Sequence, residues 1–386
     1  MSRILICTTV PETIETILKN QPRYLARYFE IDLATSPGDA VARISTGEGV
    51  DVHEVPMKRG IDPFRDLRSL YSMIRVLLRT RPQVVHSYTP KAGLIAMVAS
   101  WICRVPVRVH TFTGLIFPTA RGLMRWLLIF IDRLICACAT HVVPEGQGVR
   151  SDLSRFRITR KPLAVIGYGN IAGVNTAHFD PMELGVEQSA KVLRGNLGIG
   201  GADFVFCFVG RLNKDKGLFE LIHSFKALPS KARLLLVGSV DQSAPIADDL
   251  VDIINSHGRI HSLGFLEDIR AALRASDTLV LPSYREGFPN VILQAGAMEL
   301  PVIATNINGC NEVVEPGLNG WLVPSRDVAG LRTAMGEAMQ MSGVMLRGMG
   351  RQARERIRQR FEQREHWERM VQFYKEISIT HGGIIR

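Results

Sequence analysis

Short apolar runs separated by longer amphipathic stretches set the rhythm of this chain. Residues 3–9, 30–36, 52–56, 84–87, 107–112 and 141–143 are each dominated by β-branched and aliphatic side chains. Runs of this length that are apolar on both faces suit buried parallel strands. The segments between them have helical periodicity. Residues 13–29 read as one helix. Residues 63–81 read as another, with Leu67, Leu70, Ile74 and Leu78 at spacings of three and four, and Arg65, Arg68, Arg75 and Arg79 forming a basic opposite side. Residues 92–104 and 122–139 are more apolar all round. The alternation of strand and helix predicts an α/β fold built on a parallel sheet.

The rhythm then repeats. Residues 161–175 read as a strand leading into a Gly-rich turn, and the mixed, polar residues 176–198 place a hinge. Strands follow at 204–209, 233–238, 277–281, 301–305 and 320–324, with helices between them and two more at 347–363 and 364–379. The chain of 386 residues is long enough for two domains of ordinary size. The expected boundaries are a first domain over 1–170, a linker over 171–198, a second domain over 199–361 and a closing helix over 362–386.

Charge changes the picture in one half only. Residues 1–161 hold 23 Lys and Arg against 13 Asp and Glu, whereas residues 162–386 hold 24 of each, so the whole net charge of +10 belongs to the first half. An excess of that kind calls for an anionic partner. The segment 121–133 (RGLMRWLLIFIDR) mixes aromatic and aliphatic residues with flanking arginines. It reads either as a helix lying on an anionic bilayer or as a helix packed on the sheet with a few surface arginines. Aromatic stacking platforms interleaved with Lys and Arg are absent, so no nucleic-acid partner is expected. No apolar run is long enough for a transmembrane helix, and the first strand is too short for the apolar core of a signal peptide. The six cysteines lack metal-ligand spacing and read as reduced core residues of a cytosolic protein, with no metal site.

Two loops carry the chemistry. After the strand at 204–209 comes Gly210-Arg211-Leu212-Asn213-Lys214-Asp215-Lys216-Gly217. Two cations five residues apart on a Gly-flanked loop suit a diphosphate, with Arg211 bidentate to one phosphate and Lys216 a point charge on the other. Some 70 residues on, the strand at 277–281 runs into PSYREGFPNVILQAG over 282–296. Asn290 is placed to cap a helix there, whose free N–H groups and dipole favour a phosphate or polyhydroxyl ligand. In an open parallel sheet, ligands bind at the carboxyl ends of strands, where both loops fall. The first strand is followed by Thr8-Thr9-Val10-Pro11-Glu12 rather than Gly-x-Gly-x-x-Gly, which argues against a nicotinamide-binding enzyme.

The stretch Glu286-Gly287-Phe288-Pro289 resembles the donor-sugar motif of the retaining GT-B glycosyltransferases, in particular glycosyltransferase family four. The loop from Gly210 through Arg211 and Lys216 resembles that family's pyrophosphate-binding motif, and residues 260–269, with Gly264 and Phe265, the segment that meets the nucleotide base. The resemblance implies two Rossmann-like domains facing a central cleft, with the final helix crossing back to the first domain. It implies catalytic roles for Arg211 and Lys216 on the departing diphosphate and for Glu286 on the donor sugar, with Gly287, Phe288, Pro289 and Asn290 completing the cradle. Gln294 stands where the family usually has a Glu on the ribose hydroxyls. Thr113 stands where many members have a histidine. His110, three residues upstream on a strand, faces the other side and is read either as a further catalytic residue or as a structural one.

The first half resembles bacterial capsule, exopolysaccharide and O-antigen transferases more loosely, and Thr8, Pro11, Thr113 and Gly114 are its acceptor-side candidates. The expected activity is a retaining, metal-independent hexosyl or N-acetylhexosaminyl transfer from a nucleoside-diphosphate sugar, a UDP-sugar by preference. The acceptor is expected to be a polyprenyl-diphosphate-linked saccharide, and the enzyme to be cytoplasmic, peripheral on the inner face of the cytoplasmic membrane, with no cofactor. A nucleotide-sugar epimerase of the same fold and a non-catalytic nucleotide-sugar-binding protein are the alternatives.

Overall fold

The structure, a computed structural model, describes residues 2–58, 60, 62–241 and 244–382. The chain divides into two compact units, one of Met1–Ala172 with Gln363–Arg386 and one of Gly173–Glu362.

The first unit holds β1 (Arg3–Cys7), β2 (Glu30–Thr35), β3 (Asp51–Glu54), β4 (Val84–Tyr88), β5 (Val107–Phe112) and β6 (His141–Pro144) in one sheet of order β3-β2-β1-β4-β5-β6. Every pairing is parallel. Its helices are α1 (Gln21–Leu25), α2 (Ala40–Glu48), α3 (Pro63–Thr80), α4 (Pro90–Ile102), α5 (Gly122–Cys138) and α6 (Gln147–Arg155). The second unit adds α7 (Leu184–Asn196), α8 (Leu218–Lys226), α9 (Asp248–Ser256), α10 (Arg270–Arg274), α11 (Asn290–Ala297), α12 (Cys310–Val313), α13 (Val328–Gln340) and α14 (Gly343–Arg360). Its strands are β7 (Phe204–Val209), β8 (Ala232–Val237), β9 (Ile260–Gly264), β10 (Thr278–Leu281), β11 (Val302–Thr305) and β12 (Gly320–Val323), ordered β12-β11-β10-β7-β8-β9. Both sheets follow the same doubly wound path: three strands outward, a return to the middle, then three strands the other way.

Alternation along each strand supplies both faces. In β1, Ile4 and Ile6 pack into one apolar layer and Leu5 and Cys7 into the other. The Leu5 side is covered by α3, α4 and α5, the Ile4 side by residues of α1, α2 and the last helix, α15 (Gln363–Gly382). So α15 belongs to the first unit although residues 173–362 separate it from the rest in sequence. Its anchor is Tyr374, fully buried, whose hydroxyl lies 2.6 Å from Nδ1 of His86 on β4. His86 Nε2 in turn lies 2.7 Å from the Thr111 hydroxyl on β5. The six cysteines are all unpaired thiols and five are buried.

Several local expectations are corrected. The single helix expected over 13–29 is a short π-helical turn at Thr13–Ile17 followed by α1, with the break at Asn20, whose φ is 65°. The strand expected near 161–168 reduces to one bridge between Leu163 and Val142. The expected linker at 171–198 contains α7, whose Val186 and Ala190 join the core of the second unit. On α3 the buried stripe is Ser69, Met73, Leu77 and Thr80 rather than the leucine stripe, and Leu67 and Leu78 are exposed. Met73 and Leu77 carry the contact with the core, Leu70 and Ile74 flank it half-buried, and Leu67 and Leu78 are left outward.

Burial determines the protonation of three histidines. It depresses the pKa of His86 and His110 to about 3 and that of His366 to about 4. Each is neutral in the folded chain and free to protonate near pH 6.5 when unfolded. A depressed folded pKa makes the stabilisation complete above pH 6.5 and erodes it as pH falls toward 3–4, by about 1.4 kcal/mol per histidine per pH unit. Thermal melts between pH 7.5 and 5 should show a steady fall in midpoint below pH 6.5. An unchanged midpoint would show that these rings are not held neutral.

Candidate active site

In a doubly wound sheet the crevice opens where the strand order reverses, and in the second unit that point lies between β7 and β10. The two loops singled out in the sequence leave these two strands. A close backbone approach brings them together. Gly217, at φ +66°, sits so near the end of β10 that a Cβ there would lie 2.0 Å from the Pro282 carbonyl oxygen. Only glycine satisfies both the left-handed φ and the contact. The turn Lys214–Lys216 just before it is a single 3-10 turn, opened by the Asn213 side chain accepting from the Asp215 N–H at 3.2 Å. Across the crevice, the Tyr284 N–H donates to the Asp215 carbonyl at 2.8 Å, and Arg285 pairs with the Asp215 carboxylate at 3.0 Å.

This clamp sets Lys216 against Glu286, with Nζ 2.6 Å from Oε1 and both side chains largely out of solvent. Arg211 reaches the carboxylate of Asp241 at 2.6 Å, and the Asn213 amide donates to the same oxygen at 3.2 Å. The Arg211 side chain remains more than half exposed. Both cations are therefore held by carboxylates at the mouth of the crevice, where an incoming diphosphate would compete for them.

Helix α11 starts one residue earlier than expected in capping terms: Pro289 is at the N-cap and Asn290 is the first helical residue. Asn290 is therefore not the cap, and the proline that is has no side-chain acceptor to offer. Asn290 and Gln294 lie one turn apart on the same face, opposite the buried Ile292. Phe288 is buried with its ring 5.5 Å from that of Phe361, so it offers its backbone alone to the loop. Gly287 is braced by Gly309, where a Cβ would meet the Gly287 carbonyl at 2.3 Å. At the end of β9, the Gly264 carbonyl accepts from the Gly238 N–H at 2.7 Å, and the Phe265 ring beyond it is 73% exposed.

The first-unit candidates fare differently. His110 is a core residue: its Nδ1 lies 2.9 Å from the Ser87 hydroxyl, and its ring occupies the space a Cβ on Gly93 of α4 would need. Its side chain is buried, and burial depresses its pKa to about 3. Thr8 and Pro11 are also buried, the Thr8 hydroxyl 3.1 Å from the Val10 carbonyl and 3.2 Å from the Thr35 hydroxyl. Thr113 and Gly114 are half-buried, and Gly114 lines an apolar cavity of about 460 Å³.

Three site residues were invisible in the sequence reading. Asp241 follows β8 and its only sequence signal is its place after a strand-ending Gly238. The Tyr284 hydroxyl donates to Glu220 on α8 at 2.7 Å, and the Arg326 guanidinium stacks 4.0 Å from the Tyr284 ring. Burial and the Glu220 carboxylate push the Tyr284 pKa up to about 12. These contacts stiffen the loop that carries Glu286.

The two doubly wound units, each a six-stranded parallel sheet with flanking helices, have the architecture of the GT-B fold. Residues 14–169 match the family described as Glycosyl transferase 4-like domain, and residues 203–341 match Glycosyl transferases group 1. Together these matches span most of the chain, and the chain belongs to the glycosyltransferases they describe. It is 28% identical over 378 residues to the capsular polysaccharide biosynthesis glycosyltransferase CapM of Staphylococcus aureus, covering 96% of each chain. It is 27% identical over 281 residues to an Escherichia coli UDP-Gal:alpha-D-GlcNAc-diphosphoundecaprenol alpha-1,3-galactosyltransferase, covering 70% of each. Among solved structures, Anabaena Alr3699/HepE in complex with UDP superposes with a TM-score of 0.80 at 19% identity, over 97% of this chain and 100% of that one.

The Gly217 contact gives a direct test of how the crevice is assembled. Gly217→Ala should cost at least about 2 kcal/mol, from the left-handed φ and the clash with Pro282. Urea denaturation measures it, and an unchanged midpoint would mean that the two loops are not clamped at this point.

Proposed function

We propose that this glycosyltransferase moves a sugar from a UDP-sugar to a polyprenyl-diphosphate-linked saccharide with retention of anomeric configuration, and that it does so on the cytoplasmic face of a membrane. The observation that carries the donor half is the Lys216–Glu286 contact of 2.6 Å at the switch point, beside the largely exposed Arg211. As the bond from the anomeric carbon to the diphosphate breaks, negative charge grows on the leaving phosphate oxygen. Arg211 and Lys216 are the groups that stabilise it, with no metal assigned to the task. Glu286, freed from Lys216 as the diphosphate takes over that cation, accepts hydrogen bonds from the donor sugar and orients it. Asn290 and the backbone of Gly287, Phe288 and Pro289 extend the cradle. Phe265 meets the base. Gln294 binds the ribose as a neutral donor and acceptor, without the charge-assisted bond of a carboxylate.

The acceptor half rests on the first unit. The cavity beside Gly114 lies among α3, α4 and α5, lined by Leu94, Ile116, Met124, Leu128 and Ile131. At its edge Lys91 binds both oxygens of Asp66 at 2.7 Å. Asp132, also on the lining, has its pKa raised to about 7 by burial. Such a site suits an apolar chain with a polar head. The same three helices expose Phe64, Leu67 and Tyr71 on α3, Trp101 at the end of α4, and Leu123, Trp126 and Phe130 on α5. Apolar and aromatic side chains in that number, interspersed with arginines, favour contact with an anionic bilayer. No helix among the described residues is long and apolar enough to cross one. The name of the Escherichia coli relative, a transferase acting on a diphosphoundecaprenol-linked sugar, points the same way.

Turnover of UDP-sugars with a polyprenyl-diphosphate saccharide tests both halves. Arg211→Ala and Lys216→Gln should each reduce kcat by roughly a hundredfold or more. Full turnover in either variant would remove that residue from the mechanism. The lipid-linked acceptor should outperform the same saccharide as a short soluble glycoside, and equal rates on the two would sink the membrane acceptor.

A further inference from the structure

The strands of the first sheet are parallel and its helices return against them, so the carboxyl ends of α5 and α6 share the edge where β5 and β6 begin. This edge is the opposite one from the loops that follow the strands. It contains a second cavity, of about 760 Å³, lined by Arg133 on α5, Arg150 on α6, and Arg157, Arg160 and Lys161 in the segment that follows. Ser154 and Thr159 add hydroxyls, and no carboxylate lines it. None of the five cations forms an ion pair among the described residues.

Two of the cations have structural reasons to be near a helix carboxyl end. Lys161 Nζ donates to the carbonyls of Cys136, at 2.7 Å, Ala137 and Ala139, capping α5. Arg157 follows the end of α6, where a cation is favoured by the helix dipole. Arg133, Arg150 and Arg160 have no such role. All three are exposed, and Arg133 and Arg150 come from two different helices. Beside the cavity the Phe156 ring has the Arg125 and Arg155 guanidinium groups at 5.4 and 5.5 Å and lies edge-on to Phe117. Like charges converging on a concave site raise the local positive potential and attract an anion. Four guanidinium forks with hydroxyls between them match phosphate oxygens.

We propose that this cavity is a phosphate-binding site, separate from the donor crevice, for a ligand bearing clustered phosphate groups. The chemistry is shared by the headgroups of anionic phospholipids and by free polyphosphates. The exposed stripe of α5, from Leu123 through Trp126 and Phe130, runs down to Arg133 at the cavity rim, which gives a lipid surface a continuous path to it. The site does not depend on the donor reading, because none of its residues is among the proposed catalytic ones.

The test uses the full chain with UDP present throughout to occupy any donor-site affinity for phosphate. One arm measures co-sedimentation with vesicles of phosphatidylglycerol in phosphatidylcholine, the other calorimetric binding of inorganic tripolyphosphate. The variant Arg133→Gln/Arg150→Gln/Arg160→Gln should lose at least tenfold in affinity in one arm or both, and the arm affected identifies the source of the phosphate. Lysine at the same three positions should restore most of the loss. A control, Arg347→Gln/Arg351→Gln/Arg358→Gln, removes the same charge from exposed positions of α14. Absence of binding in both arms, or a loss no greater than the control's, would overturn the proposal, since net charge alone would then account for the effect.

Discussion

The contact between Lys216 and Glu286 is the point on which the second unit turns. Each charge is mostly withdrawn from water, and a partly buried charge without its partner is costly. The pair therefore holds both loops in register across the switch point. The pair exists because Gly217 lets two backbones touch at the end of β10. Asp215, Tyr284 and Arg285 then hold the loops at that distance, and Glu220 and Arg326 brace Tyr284 from outside the crevice. Arg211 and Asp241 repeat the arrangement in a more exposed setting, so two cations wait in the crevice, each held by a carboxylate.

The two units share one topology and use its switch point in opposite ways. In the first unit the loops after β1 and β4 close on each other. The Thr9 and Thr89 hydroxyls lie 2.6 Å apart, and the Ala92 N–H at the start of α4 donates to Thr9 at 3.1 Å. Thr89 is held at φ 70°, a conformation that costs a β-branched residue about 1–3 kcal/mol, and these hydrogen bonds offset it. With that point filled by threonines, the open space at the carboxyl edge shifts outward to the apolar cavity beside Gly114. The same fold thus offers a charged crevice in one unit and a greasy one in the other.

The pattern of apolar runs was enough to announce a parallel α/β architecture in two parts, because a strand buried on both faces has a composition that few other elements share. The loops bearing Arg211, Lys216 and Glu286 were legible for a similar reason: glycine, cations and one carboxylate at strand ends are local features, and parallel topology places strand ends on one edge. The failures were equally physical. The leucines of α3 satisfy a helical period, but a period names a stripe without saying which neighbour it meets, and the smaller Ser69 and Met73 side won the contact. His110 looked available on a strand, yet side-chain direction and the absence of a Cβ at Gly93 bury it.

What the sequence determined by itself was therefore local: where strands and helices fall, which loops carry charge, and that the positive excess belongs to the first half. Tertiary structure alone decided which of those charges meet. Lys216 finds Glu286 across 70 residues, Arg211 finds Asp241, α15 returns to His86 through Tyr374, and five cations from two helices and one loop converge on a single cavity. Each of these depends on backbone approaches set by strand order and helix packing, which no window along the chain contains.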